Sequence, residues 1–108
     1  MVDQFIEGNF LGLPDVDGDA DVIIAPIPYE LTTSYGQGTA EGPAACIAAS
    51  GQVELFDHKL GQELPAGKKI RTVQPWSGEG NTLQEQLNGI GEYAAEQYNS
   101  GAFPIFLG

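Results

Sequence analysis

Phe103-Pro104-Ile105-Phe106-Leu107-Gly108 closes the chain. An unbroken apolar run of this length, stopping at a glycine, reads as a β-strand of a buried parallel sheet running into a turn. In open parallel α/β sheets, ligands and catalytic groups gather beyond the carboxyl ends of the strands. The chain therefore stops on the edge where chemistry is expected. The residues upstream carry few groups able to perform it.

Upstream of this strand, helix and strand signals alternate. Residues 82–99 place Leu83, Leu87, Ile90, Ala94 and Tyr98 at helical spacing as one apolar stripe. Thr82 and Glu85 have the spacing of a capping box. Residues 70–73 form a second short strand, ended by a Gln74-Pro75-Trp76 turn, and residues 61–67 form a loop. Gly42-Pro43 opens a helix expected to reach about residue 55, since proline suits the first helical position. Its small residues Ala44, Ala45, Ala48 and Ala49 allow close approach to a sheet, and Gly51 weakens or splits it. Residues 29–42 make a polar, glycine-rich loop. Val22-Ile23-Ile24-Ala25 is an apolar run of the kind found in doubly buried strands, and Pro26 and Pro28 are expected to end it. Residues 1–21 are an irregular acidic lead in which Phe10 to Pro14 offer an apolar anchor. The expected fold is α/β: a three-layer, parallel β-α-β-α-β unit over residues 22–108 as a single domain behind the lead.

The 108 residues include 15 acidic side chains against four basic ones, Lys59, Lys68, Lys69 and Arg71, for a net charge of -11. Such a surface repels nucleic acid and anionic membranes, so neither is an expected partner, and a cationic ligand is favoured. The hydrophobic fraction of 42% and mean hydropathy of -0.13 fit a soluble globular chain. The single Cys46 excludes an internal disulfide and suits a reducing cytoplasm. No secretory signal is visible, and the apolar stretch 22–29 is too short to span a bilayer.

The candidate motifs mostly fail on spacing. Asp15-Val16-Asp17-Gly18-Asp19-Ala20-Asp21 resembles a calcium loop, but the sixth and twelfth positions hold Ala20 and Pro26 where glycine and glutamate are required. It reads as a solvated acidic turn. Gly36-Gln37-Gly38-Thr39-Ala40-Glu41-Gly42 has one residue too many for a dinucleotide fingerprint and lacks the lysine of a phosphate loop. It follows the first strand on the ligand-binding edge, which makes it either a substrate-facing loop or a plain connector. His58 is expected on the surface near a helix C-terminus, and Cys46 is expected to be a small buried hydrophobe. Trp76 and Tyr35 follow strands and either line a pocket or cover the sheet end. No catalytic triad or zinc-ligand spacing is present, so no catalytic or metal residue is assigned.

Taken in register, Pro26-Ile27-Pro28-Tyr29-Glu30, Thr32-Thr33-Ser34-Tyr35-Gly36, Gly38-Thr39, Gly42-Pro43, Ala49-Ser50, Val53-Glu54 and Phe56-Asp57 resemble the opening of the agmatinase/arginase (ureohydrolase) family. The closing strand resembles the family strand that runs into Gly-Gly-Asp-His-Ser. The agmatinase branch is the nearer one. The resemblance implies the N-terminal portion of an arginase-like fold. It also implies a hydrolase that uses two manganese ions and a bridging hydroxide to convert a cationic guanidino compound to an amine and urea. The substrate-side loop it implies comprises Tyr35, Gly36, Gly38, Thr39 and Gly42. Where the family often carries an arginine after Gly-Pro, this chain has Cys46-Ile47-Ala48.

The family's metal-binding segments would follow Gly108. The expectation is therefore an N-terminal fragment that binds no manganese by itself and is inactive in isolation. The alternative is a non-catalytic binding or assembly module derived from the same fold. The apolar edge of the last strand is expected to recruit a partner and make the chain a homo-oligomer.

Overall fold

The computed structural model describes residues 6–29, 38–78 and 80–108. Strand β1 (Val22–Pro26) is followed by helix α1 (Gly42–Ser50), the short strands β2 (Phe56–Asp57) and β3 (Gln62–Glu63), strand β4 (Ile70–Thr72), helix α2 (Leu83–Tyr98) and strand β5 (Phe103–Leu107). β4, β1 and β5 form a parallel sheet in that order, and β2 and β3 form a separate antiparallel hairpin. The expected α/β arrangement with a parallel sheet is present. The connection from β1 to β4 and the one from β4 back past β1 to β5 run in opposite directions, so right-handed crossovers place α1 and α2 on opposite faces. The centre of the core is β1: Ile23, Ile24 and Ala25 are 3%, 2% and 0% exposed, as a strand buried on both faces requires.

Backbone pairing explains how prolines enter this sheet. Val73 N–H donates to Ile24 O and Trp76 N–H to Pro26 O, so the even-numbered residues of β1 face β4. Pro26 lies beyond the end of that ladder, where no donor is needed. It remains in β1, in register with Leu107, rather than ending the strand as expected. On the other side, Phe103 N–H donates to Asp21 O and Ile27 N–H to Leu107 O. The odd-numbered residues of β5 thus face β1, while Pro104 and Phe106 face outward. The missing N–H of Pro104 costs the sheet nothing there.

Helix α1 departs from expectation in three ways. It ends at Ser50, with Gly51 as its C-cap; residues 51–55 are an irregular turn leading into the hairpin, whose second strand lies within residues 61–67, expected to be a loop. Its buried residues are Pro43, Ile47 and Ser50, while Ala44, Ala45, Ala48 and Ala49 are exposed. Cys46 is exposed rather than buried. The cause lies in the lead. A 3₁₀ turn at Phe10–Gly12 packs on the helix and takes the buried stripe. Leu11 N–H donates to Ser50 Oγ at 2.7 Å, and Phe10 N–H donates to Thr72 Oγ1 at 2.9 Å. Asp15 to Asp21 remain a largely exposed turn, with Arg71 donating to the carbonyls of Val16 and Gly18.

Helix α2 is capped by Thr82, whose Oγ1 accepts from Glu85 N–H at 3.1 Å. The reciprocal bond is displaced by one residue, because Glu85 Oε1 accepts from Asn81 N–H at 2.8 Å. Three members of the apolar stripe stay open: Leu83, Leu87 and Tyr98 are 44%, 47% and 72% exposed. The buried side of the helix is rotated toward Ile90, Tyr93 and Gln97. Among the described residues no helix is long and apolar enough to cross a membrane.

Candidate functional site

The chain leaves β1 toward β4 on one side and then crosses to β5 on the other. The boundary between β1 and β5 is therefore the topological switch point, where ligands bind at the carboxyl ends of strands. Ile27 N–H, donating to Leu107 O at 2.7 Å, ties the two strand ends together. The start of α1 stands against this point: a Cβ built on Gly42 would lie 3.8 Å from Gly108 O. Gly38 has φ 105°, a left-handed conformation suited to glycine, and its carbonyl accepts from Glu41 N–H at 2.9 Å. This closes the 3₁₀ turn Thr39–Glu41 that leads into α1. Gly38, Thr39 and Gly42 thus belong to one short segment entering the helix at the switch point. Tyr35 and Gly36 lie outside the described residues.

Two aromatic residues close the strand ends. Trp76 is buried, and its backbone N–H donates to Pro26 O at 3.0 Å. The Tyr29 ring lies 6.3 Å from the Trp76 ring at 52°. The Tyr29 hydroxyl is buried and has no hydrogen-bond partner among the described residues. Sequence reasoning used Tyr29 only as part of a motif. Its position three residues after Pro26, the last residue of β1, was the available signal, because side chains just past a strand end face the ligand edge.

Two cavities adjoin this region. One, of about 590 Å³, lies between the lead, α1 and the ends of β1 and β4. The other, of about 650 Å³, lies between residues 73–77 and α2, with Tyr93 and two glutamates, Glu92 and Glu96, on its wall. Tyr93 Oη donates to Gln74 O at 2.7 Å, which fixes the second wall to the loop after β4.

The titratable residues raised by the sequence do not converge. His58 is not near a helix end: it follows β2 in the hairpin, exposed, with its ring edge-on to Phe56 at 5.2 Å. Among the described residues no three His, Cys, Asp or Glu side chains form a group able to hold a metal ion. These residues do not fit a two-manganese centre.

Comparison with known proteins accounts for the arrangement. The family model described as the arginase family matches residues 20–108. An N(1)-aminopropylagmatine ureohydrolase of Synechocystis is 54% identical over 43 residues, covering 40% of this chain and 14% of that protein. The ureohydrolase of the same name from Thermus thermophilus is 30% identical over 90 residues, covering 83% of this chain and 30% of the relative. An agmatinase of Bacillus anthracis is 31% identical over 90 residues, again covering 83% of the chain and 31% of its own length. The chain spans less than a third of the length of each of these relatives. On the extent of the family match, with a parallel β4-β1-β5 sheet at its centre, this chain belongs to the arginase family.

Proposed function

We propose that these 108 residues form the substrate-side opening of an agmatinase-type ureohydrolase, which hydrolyses a cationic guanidino compound to an amine and urea. The observation that carries this reading is the segment Gly38–Gly42 standing over the β1/β5 switch point in a chain of the arginase family. The relatives named for aminopropylagmatine and agmatine support an aliphatic guanidino-amine as the substrate class. A net charge of -11 raises the local concentration of such cations.

In this reading the residues described here bind and orient rather than react. Gly38 and Gly42 let the backbone approach the substrate closely, and Tyr29 and Trp76 exclude water from the strand ends. The two manganese ions expected for the family would supply the water-activating chemistry, with donors from beyond the described residues. The 108-residue chain by itself is accordingly proposed to release no urea.

The test is a fusion of residues 1–108 to the part of the Thermus thermophilus relative that follows its matched segment, assayed for urea release with manganese and either guanidino-amine. Turnover by the fusion, and none by the 108 residues, supports the reading. A folded fusion without turnover, or urea release by the 108 residues alone, refutes it.

A further inference from the structure

Resting on that substrate class, we propose that the cavity of about 590 Å³ beside α1 receives the amine-bearing aliphatic arm of an extended polycation, with Glu7 as its counter-ion. The cavity lies at the carboxyl ends of β1 and β4. Its walls are mostly apolar: prolines at the strand ends face Ala44, Ile47 and Ala48 of α1. The polar groups along it are largely committed already. Thr72 Oγ1 accepts from Phe10 N–H, and the Asn9 amide donates to Leu13 O and Asp15 Oδ1. Gln74 O accepts from Tyr93.

Among the described residues Glu7 is the one charged residue of the lining, and none of the four basic residues of the chain is there. Apolar walls with one carboxylate match methylenes ending in an ammonium group. An anion would meet the Gln74 side-chain amide but no basic group in the described lining. The positive end of α1 is weakened toward a cation, because Pro43 removes one of its unpaired N–H groups and the Glu41 carboxylate stands at the N-cap position. Ala40 and Pro43, in the wall, flank Gly42, which stands against Gly108. The cavity is therefore a side chamber of the sheet edge assigned to the guanidino group, and the geometry selects for longer substrates.

The experiment is an amide-shift titration of the isotope-labelled chain with N(1)-aminopropylagmatine and, separately, with agmatine. The longer cation is expected to shift the amides of Asn9, Ala44, Ala48 and Val73 and to bind about fivefold more tightly, as an added rim ion pair allows. Glu7→Gln should weaken it by about two- to fivefold. Ala48→Phe fills the chamber from an exposed helix position and should abolish the preference. Glu92→Gln, in the other cavity, should leave it unchanged. Equal affinity for both cations, an Ala48→Phe variant that keeps the preference, or an equal effect of Glu92→Gln overturns the proposal. The readout is binding alone, so its failure is separable from a failure of the hydrolase reading, which urea release by the fusion tests.

Discussion

Ser50→Ala is the substitution whose consequence follows most directly from the way the lead is held. Ser50 is 7% exposed, and its Oγ donates to Ile47 O at 2.6 Å while accepting from Leu11 N–H at 2.7 Å. Removing the hydroxyl leaves the Leu11 N–H, in a partly buried position, without its acceptor, at a cost of about 1–3 kcal/mol. Leu11 also has φ 60°, a conformation that costs a non-glycine residue about 1–2 kcal/mol, so release of the lead relieves strain in the variant and limits the loss. Alanine's helix propensity returns about 0.5 kcal/mol. The net destabilisation is about 1–2 kcal/mol.

Thr72→Val removes the acceptor of Phe10 N–H in a nearly isosteric way and should cost about 1 kcal/mol. Both bonds hold the same segment, so the double variant should lose less than the sum of the single ones. Urea unfolding followed by circular dichroism reads this directly. With a slope of about 1 kcal/mol per molar, the Ser50→Ala midpoint falls by about 1–2 M. An unchanged midpoint, or strictly additive losses in the double variant, would refute the idea that the lead is clamped to α1 and β4 by these two hydroxyls.

Three further outcomes are expected. Burial first, and then the neighbouring Glu96 carboxylate, push the Tyr93 phenol above its ordinary value of 10.0. The folded chain thus keeps a proton that the unfolded chain loses, so this contribution to stability is complete below pH 10.0 and is lost as pH rises through the folded value; Glu96→Gln should lower the midpoint of Tyr93 ionisation in a tyrosinate absorbance titration. Tyr29→Phe removes a buried hydroxyl that has no partner among the described residues and should raise stability by about 1 kcal/mol; a loss of that size in urea unfolding would mean the hydroxyl has a partner in solution. The exposed edge of β5, with Phe103, Ile105 and Phe106 40–67% exposed, should promote self-association. Within β5, Phe106 supplies the outward N–H that Pro104 lacks, so Phe106→Pro should shift the chain toward monomer by sedimentation velocity, and an unaltered distribution would place the contact elsewhere.

The parallel sheet was legible because β1 and β5 are short apolar runs with no alternation; burial on both faces imposes this pattern on β1, whereas β5 carries it with Phe103, Ile105 and Phe106 exposed. Helix α2 was legible from Thr82 and Glu85, although the reciprocal cap reaches Asn81 instead of Thr82. Helix α1 was misjudged at its end because Gly51 looked like an interior weakness, whereas it serves as the C-cap. The exposure of Cys46 and the four alanines was also hidden. It depends on where Phe10 and Leu11 dock, a long-range contact that local periodicity does not encode. Pro26 was read as a terminator because a proline's missing donor matters only on one side of a strand, and that side is set by the partner strand's length. At the candidate site, the glycine spacing exposed the segment from Gly38 to Gly42, but the orphaned hydroxyl of Tyr29 required tertiary structure to be seen.

The most direct test of the hydrolase lineage is urea release by residues 1–108 fused to the remainder of the Thermus thermophilus relative, compared with the same fusion carrying Gly38→Ala. At φ 105° with open space around the added Cβ, this change strains the segment's backbone without a clash. The strain is about 1–2 kcal/mol, enough to displace the segment from the sheet edge. The unaltered fusion should release urea from a guanidino-amine, and Gly38→Ala should lower kcat/KM by about tenfold with the fold retained. A folded, manganese-loaded fusion that releases no urea, or a Gly38→Ala fusion as active as its parent, would contradict the assignment of this edge to substrate.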